Sequence, residues 1–161
     1  YVTMVKLRPP LTTQQQIAIA IVPKFTSALS VLGSGFIIVH VLINPNRRQR
    51  VYHRILLGMG LMDVVVSVRS FLSTWPLPKG TAWGAMGTTQ TCALAGFFGQ
   101  GSSLAGPLYN GSLTLYYFLT IRDRKRWREE KIRAVEPWLH AVPLVVGWST
   151  AIAGMVLKLF N

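Results

Sequence analysis

Acidic residues and cysteine are scarce in this sequence. Five Asp and Glu stand against seventeen Lys and Arg in 161 residues, and only 14% of the residues are charged, whereas a soluble domain has roughly 25%. The single cysteine, Cys92, excludes an internal disulfide and a cysteine-rich zinc site. This composition argues against a cytosolic enzyme, and the length predicts a single domain over residues 1–161.

The net charge of +12 would by itself suggest a nucleic-acid-binding protein. The basic residues, however, fall in two short runs between long apolar stretches, so they form no continuous basic face for a phosphate backbone. We therefore expect no nucleic-acid partner. The few acids and the three histidines are not spaced as a catalytic set or as metal ligands, and we predict neither catalysis nor a cofactor.

Four apolar stretches occupy most of the chain, at residues 17–43, 55–75, 91–121 and 138–157. A helix needs about 20 residues to cross a hydrocarbon core roughly 30 Å thick. The third stretch is richer in Gly, Ser and Thr, yet no charged residue occurs from Gly80 to Ile121. The sequence thus predicts an all-α integral membrane bundle of four transmembrane helices, the last beginning around Glu136-Pro137-Trp138 with proline in its first turn.

The basic residues also predict the orientation of the bundle. Residues 44–54 and 122–136 together contain eleven Lys and Arg, whereas the segment before the first stretch and the connection after the second contain only Lys6, Arg8 and Lys79. Connections rich in Lys and Arg remain cytoplasmic. We expect an extracellular N-terminus, cytoplasmic connections at 44–54 and 122–136, and contacts between the basic residues and anionic lipid head groups.

Two ionisable residues interrupt the second stretch. Asp63 lies near its middle, with Ser67 one turn further on the same face, and Arg69 lies nearer the extracellular end. A carboxylate at this depth faces other helices or water, which makes it a candidate for ion coordination, proton relay or switching, or simply a hydrogen-bonded packing residue. Arg69 is either a counter-ion for a ligand or a side chain that extends to the membrane surface.

Small and polar residues recur along the third stretch at alternating spacings of four and three. They are Gly96, Gln100, Ser103, Pro107, Asn110, Thr114 and Tyr117. Such a stripe favours close helix packing and hydrogen bonds between helices. It predicts that this helix is central to the bundle, and that Gln100, Ser103 and Asn110 either pack against neighbouring helices or line a ligand cavity.

The order of these features resembles the first four helices of a seven-helix G-protein-coupled receptor, in the divergent protist form related to rhodopsin-like and cyclic-AMP-receptor-like members. The resemblance covers nearly the whole chain. It depends on Leu56-Leu57-Gly58-Met59 through Asp63, on Thr91-Cys92, on Pro107-Leu108-Tyr109-Asn110 through Ile121-Arg122, and on Glu136-Pro137-Trp138. It implies the N-terminal part of a receptor that binds an extracellular ligand and acts on a heterotrimeric G protein.

The resemblance also implies roles for individual residues. Asp63 is similar to the aspartate that binds sodium and helps to switch receptor states, with Ser34 in place of a neighbouring asparagine. Cys92 is similar to a cysteine that pairs with one in the loop after the fourth helix, which is a loop beyond Asn161. Arg122, with the nearby Arg124 and Arg126, is expected to contact the G protein.

Two other classes of protein remain open on the sequence alone. One is half of a membrane transporter or proton-coupled carrier, in which Asp63 and Arg69 lie on the transport pathway. The other is a small membrane adaptor or assembly protein, in which the polar stripe is only a packing surface. The absence of an internal repeat in the sequence disfavours the transporter.

Overall fold

The computed structural model describes residues 12–122 and 129–160, and these residues are almost entirely helical. Five helices follow in order: α1 (Thr13–Ile43), α2 (Pro45–Arg48), α3 (Val51–Leu72), α4 (Thr89–Arg122) and α5 (Glu129–Val156). The described residues contain no strand, only an isolated bridge between Pro78 and Gly87. The predicted all-α class is therefore confirmed.

The first helix begins at Thr13, before the apolar stretch that starts at Ile17, because its first turn is capped by polar residues. The backbone N–H of Gln15 donates to the Thr12 hydroxyl (3.4 Å), and the backbone N–H of Thr12 donates to the Gln15 side chain (3.1 Å). This reciprocal arrangement is a capping box. At the other end, Asn44 is extended and the next residues form only the single turn α2.

The second long helix is displaced towards the N-terminus relative to the predicted 55–75. It begins at Val51 and ends at Leu72, because Ser73 has a φ of 49° and its N–H donates to the carbonyls of Arg69 and Ser70. A positive φ does not fit a right-handed helix, so α3 ends before this residue. Trp75 consequently lies in the connection at 73–88.

The last helix begins earlier than the predicted start around Pro137. It includes Glu129, so much of the predicted 122–136 connection is helical and Pro137 lies inside the helix. Residues 129–136 are mostly strong helix formers, and a proline removes only one backbone hydrogen bond from the turn before it. The third long helix agrees with the prediction more closely, since it covers Thr89–Arg122 instead of 91–121.

Consecutive long helices pack side by side in antiparallel directions. Helix α1 packs on α3, α3 on α4 and α4 on α5, and α3 also touches α5, whereas α1 contacts neither α4 nor α5. At one end, Val51, Ile55, Tyr109, Ile132 and Leu139 form a buried cluster. The opposite end carries the 73–88 connection.

Three of the four long helices are long and apolar enough to cross a membrane within the described residues, namely Thr13–Ile43, Val51–Leu72 and Lys131–Val156. Helix α4 is the longest, with 34 residues, but its many Gly, Ser and Thr residues lower its hydropathy. Large apolar side chains cover the outside of α1, where Phe25, Leu29, Leu32 and Phe36 are each about 70% exposed. Such an apolar surface suits a lipid bilayer, as expected for a multi-pass membrane protein.

Candidate functional site

A groove opens between α1 and α4, because both helices pack on α3 but not on each other. Its volume is about 700 Å³, and α3 forms its floor. Apolar and polar side chains line it in equal number, and the polar ones come from all three helices: Ser34, Asp63, Ser102, Ser103 and Asn110. We call this cavity the Asp63 groove.

The Asp63 carboxylate is held by two hydroxyl groups of α1. Ser30 Oγ donates to Asp63 Oδ2 at 3.0 Å, and Ser34 Oγ, one turn later, donates to the same oxygen. No residue in the described part of the chain donates to Oδ1. The carboxylate is therefore tied to α1 through one oxygen, while the other can accept a proton or a hydrogen bond from a group in the groove.

The α4 side of the groove comes from the polar stripe found in the sequence. Ser103 and Asn110 line the groove and are exposed, as are the other members of the stripe except the half-buried Gly96. Of the two alternatives for the stripe, close packing on neighbouring helices or a cavity wall, its exposure fits the second for α3 and α5. The buried α4 positions are instead Gly99, Gly101, Ser102, Ala105, Tyr109 and Ser112. They approach the neighbouring helices most closely because most of them are small.

The structure brings together some of the candidate residues and separates others. Asp63, Ser103 and Asn110 line one groove, and Ser34 donates a hydrogen bond to Asp63. Ser67 is a buried residue of α3 that does not line the groove, whereas Gln100 is exposed outside it. Arg69 lies in a different groove, near the 73–88 connection.

The other receptor-derived candidates lie at the two ends of α4. Cys92 is a free, half-buried thiol in the first turn. Arg122 is the last helical residue, and its side chain, together with Arg124 and Arg126, lies outside the described residues. Their expected contact with a G protein therefore remains a prediction.

A second polar cluster links the helices at the end opposite the 73–88 connection. The Arg54 guanidinium forms a two-pronged ion pair with the Glu136 carboxylate, which joins α3 to α5. Arg54 Nη1 also donates to the carbonyls of Arg48 (3.0 Å) and Gln49 (3.1 Å). One side chain thus fixes α2, α3 and α5 together, and paired guanidinium and carboxylate groups of this kind are strong.

Glu136 also approaches a histidine one turn later in α5. His140 Nε2 lies 3.8 Å from Glu136 Oε1, and His140 Nδ1 lies 3.2 Å from the Tyr109 hydroxyl of α4. The sequence alone does not reveal this cluster, because Arg54 belongs to a basic run that predicts orientation and Glu136 to a motif that predicts a helix start. The spacing of Glu136 and His140 by one turn was the available signal.

The two sites differ in what they can do chemically. The Asp63 groove offers hydrogen-bond acceptors to a ligand or neighbouring helix, whereas the Arg54 cluster is already paired. Among the described residues, no three His, Cys, Asp or Glu side chains approach each other closely enough to hold a metal ion.

The chain matches no protein-family model, and no curated protein or solved structure matches it.

Proposed function

We propose that this chain is the N-terminal, four-span part of a receptor-like membrane bundle that transmits an extracellular signal to a cytoplasmic G protein. The observation that carries the proposal is the Asp63 groove. The groove contains a carboxylate. Its lining residues come from α1, α3 and α4, and no other described helix covers it. The receptor resemblance accounts for this arrangement, because in such a bundle further helices cover this face.

Lipid is a poor cover for this face. A carboxylate at the centre of a membrane helix costs about 2.5 to 3.5 kcal/mol on insertion scales, and the Ser103 and Asn110 side chains add polar groups that lipid cannot hydrogen-bond. Ionisable residues at this depth face other helices or a water-filled cavity. Additional helices packed along the polar stripe of α4 would provide hydrogen-bond partners for these polar groups and would enclose the groove as a water-filled cavity.

The charge distribution supports a membrane crossing by α4 in addition to the three more apolar helices. Helix α4 packs antiparallel to α3 and α5, since Gly58 is close to Tyr109 and Gly101 is close to Trp148. Its 34 residues extend about 50 Å, more than the hydrocarbon thickness. If α4 crosses, the basic residues at 44–54 and 122–136 share one side, as the positive-inside rule requires. If it does not, they lie on opposite sides.

Signal transmission requires two arrangements of the helices with different affinities for ligand and partner. The Ser30 and Ser34 hydrogen bonds to Asp63 couple α1 to α3, and the Arg54–Glu136 pair couples α3 to α5 at the predicted cytoplasmic end. A change at the Asp63 groove would therefore reach the end where the receptor resemblance expects the G protein. In this proposal Asp63 is the switch residue.

Nucleotide exchange on a heterotrimeric G protein tests the proposal. The complete reading frame that contains this chain is expressed in cell membranes, and GTPγS binding to added G protein is measured without ligand. We expect basal exchange above that of empty membranes, changed several-fold by Asp63→Asn, with Lys79→Gln as the control that also changes one charge. The isolated 161-residue chain should give no exchange, because the partner groove is incomplete.

Two results would contradict the proposal. One is an absence of exchange with both the native protein and Asp63→Asn. The other is proton-dependent solute uptake that Asp63→Asn abolishes, which would assign the protein to the transporter class instead. A downstream reading frame without further apolar stretches would favour the adaptor class.

A further inference from the structure

A second groove lies between α3 and α4, at the end of the bundle that holds the 73–88 connection. Its volume is about 610 Å³, and it is open along one side. Val65 and Val68 of α3 and Leu94 and Phe98 of α4 form its walls, while Trp75 closes the end. We call it the Arg69 groove, because Arg69 is the one charged residue among its lining side chains.

Arg69 has no acidic partner in the described part of the chain. Asp63 accepts hydrogen bonds from Ser30 and Ser34, and Glu136 is paired with Arg54 at the opposite end. The other three acids are Asp123, which lies outside the described residues, and Glu129 and Glu130 in the first turn of α5. Arg69 is exposed, so its charge is open to an anion from outside these helices.

The local packing places the Arg69 side chain against α4. Gly99 is buried, and a Cβ added there would lie 3.1 Å from Arg69 Nε and 3.3 Å from Arg69 Cδ. The absence of a side chain at Gly99 thus provides the space for the guanidinium. A second cation contacts a residue that lines the groove, since Lys24 Nζ is 3.6 Å from the centre of the Trp75 ring.

We propose that the Arg69 groove binds an acidic phospholipid, with the lipid phosphate at Arg69 and one acyl chain along Val65 and Phe98. This inference rests on insertion of α3 and α4 in a bilayer, which is part of the proposed function, but not on receptor activity. Arg69 lies three residues before the end of α3, or about 4.5 Å along the axis, close to the level of lipid head groups.

The chemistry of both parts of the groove fits this ligand. A guanidinium presents several N–H donors in a planar array that matches the oxygens of a phosphate. The walls below it are apolar and continuous with the lipid-facing surface, so an acyl chain enters from the side without crossing polar groups. Lys24 provides a second positive charge, which favours an anionic head group over a zwitterionic one.

Native mass spectrometry of the full 161-residue chain tests this assignment. The protein is purified from bilayers containing equal amounts of phosphatidylglycerol and phosphatidylcholine, and the lipid retained per chain is counted. We expect one phosphatidylglycerol on the wild-type chain, and a retained fraction about tenfold lower in Arg69→Gln, as expected for loss of charge-assisted hydrogen bonds. Lys79→Gln removes an exposed charge from the same end and should retain the lipid like the wild type.

Gly99→Val provides a second variant that keeps every charge. Its side chain would occupy the space of the guanidinium, so phosphatidylglycerol retention should also decrease, whereas Gly111→Val, with open space around the residue, should not affect it. Circular dichroism confirms that each variant is folded. The proposal is wrong if the wild type retains phosphatidylcholine equally well, or if folded Arg69→Gln or Gly99→Val retains as much phosphatidylglycerol as the wild type.

The outcome is separable from that of the receptor proposal. If lipid selectivity is absent while Asp63-dependent nucleotide exchange is present, only the lipid site is refuted. If selectivity is present without exchange, the Arg69 groove stands and the receptor assignment does not.

Discussion

At Asp63, two serine hydroxyls take the place of the water molecules that a carboxylate binds in solution. Both serines lie on α1, one turn apart, so the hydrogen bonds determine how α1 is rotated against α3. Ser30 was not among the candidates from the sequence, although its spacing from Ser34 places both on one face of an apolar helix. Asp63 itself was predictable, because an acid within an apolar stretch is conspicuous and costly.

Removing the two hydroxyls tests the strength of this attachment. We expect Ser30→Ala combined with Ser34→Ala to lower the free energy of unfolding by about 1 to 2 kcal/mol, since hydrogen bonds between membrane helices contribute about 0.6 to 1.7 kcal/mol each. The measurement is reversible unfolding in mixed detergent micelles. Thr26→Ala is the control, because the Thr26 hydroxyl donates only within its own helix.

A double-mutant cycle assigns the effect to the carboxylate. In an Asp63→Leu background no acceptor remains, so the serine substitutions should cost much less than they do in the wild type. Equal losses in both backgrounds would show that the serines stabilise the helix pair by packing alone.

At the level of helices, the apolar stretches predicted which segments are helical but not which faces pack. A helix surrounded by lipid is apolar on all sides, so its sequence lacks the periodicity that identifies the buried face of a soluble helix. The polar stripe of α4 therefore predicts either a packing surface or a cavity wall, whereas the contacts of Gly147 in α5 are with Gly101 and Ala105. Similarly, Pro137 indicates a helix start, because the helix-forming residues before it are charged like a loop, although α5 already begins at Glu129.

The α4–α5 contact predicts that one glycine is essential for packing. A Cβ at Gly147 would lie 2.6 Å from the Gly101 carbonyl oxygen and 3.0 Å from Ala105 Cβ, so Gly147→Val should separate the helices and cost about 1 to 3 kcal/mol. Gly111→Ala, which meets no atom within 4 Å, should be neutral or slightly stabilising. Thermal unfolding in detergent distinguishes the two, and equal midpoints would contradict this packing.

The Arg54–Glu136 pair predicts a second coupling, between α3 and α5. The two side chains are 32% and 14% exposed, so the pair is partly shielded from water. We expect Glu136→Gln to destabilise the bundle by about 1 to 3 kcal/mol, between the values for exposed and buried pairs, while the exposed Lys131→Gln should change stability little. Exchanging the two residues, as Arg54→Glu with Glu136→Arg, should recover part of the loss. If the exchanged pair recovered no stability, the two side chains would act through their shape and not through their charge.

For the whole molecule, the unequal packing of the helices is the main feature. Helix α4 is held between α3 and α5, whereas α3 is the one long helix that packs on α1 in the described part of the chain, and this leaves the Asp63 groove open. The sequence predicted a four-helix membrane bundle and placed a carboxylate at mid-depth. It could not predict the groove, because the groove results from a missing contact between two helices that are far apart in the chain.

The central claim is that α4 crosses the membrane together with the three more apolar helices, and compartment mapping tests it most directly. In a Cys92→Ala background, single cysteines at Gln49, Lys79 and Arg126 are treated with an impermeant maleimide in intact and permeabilised cells. The account predicts that Lys79→Cys reacts in intact cells, whereas Gln49→Cys and Arg126→Cys react only after permeabilisation. Reaction of Arg126→Cys in the same compartment as Lys79→Cys would contradict it.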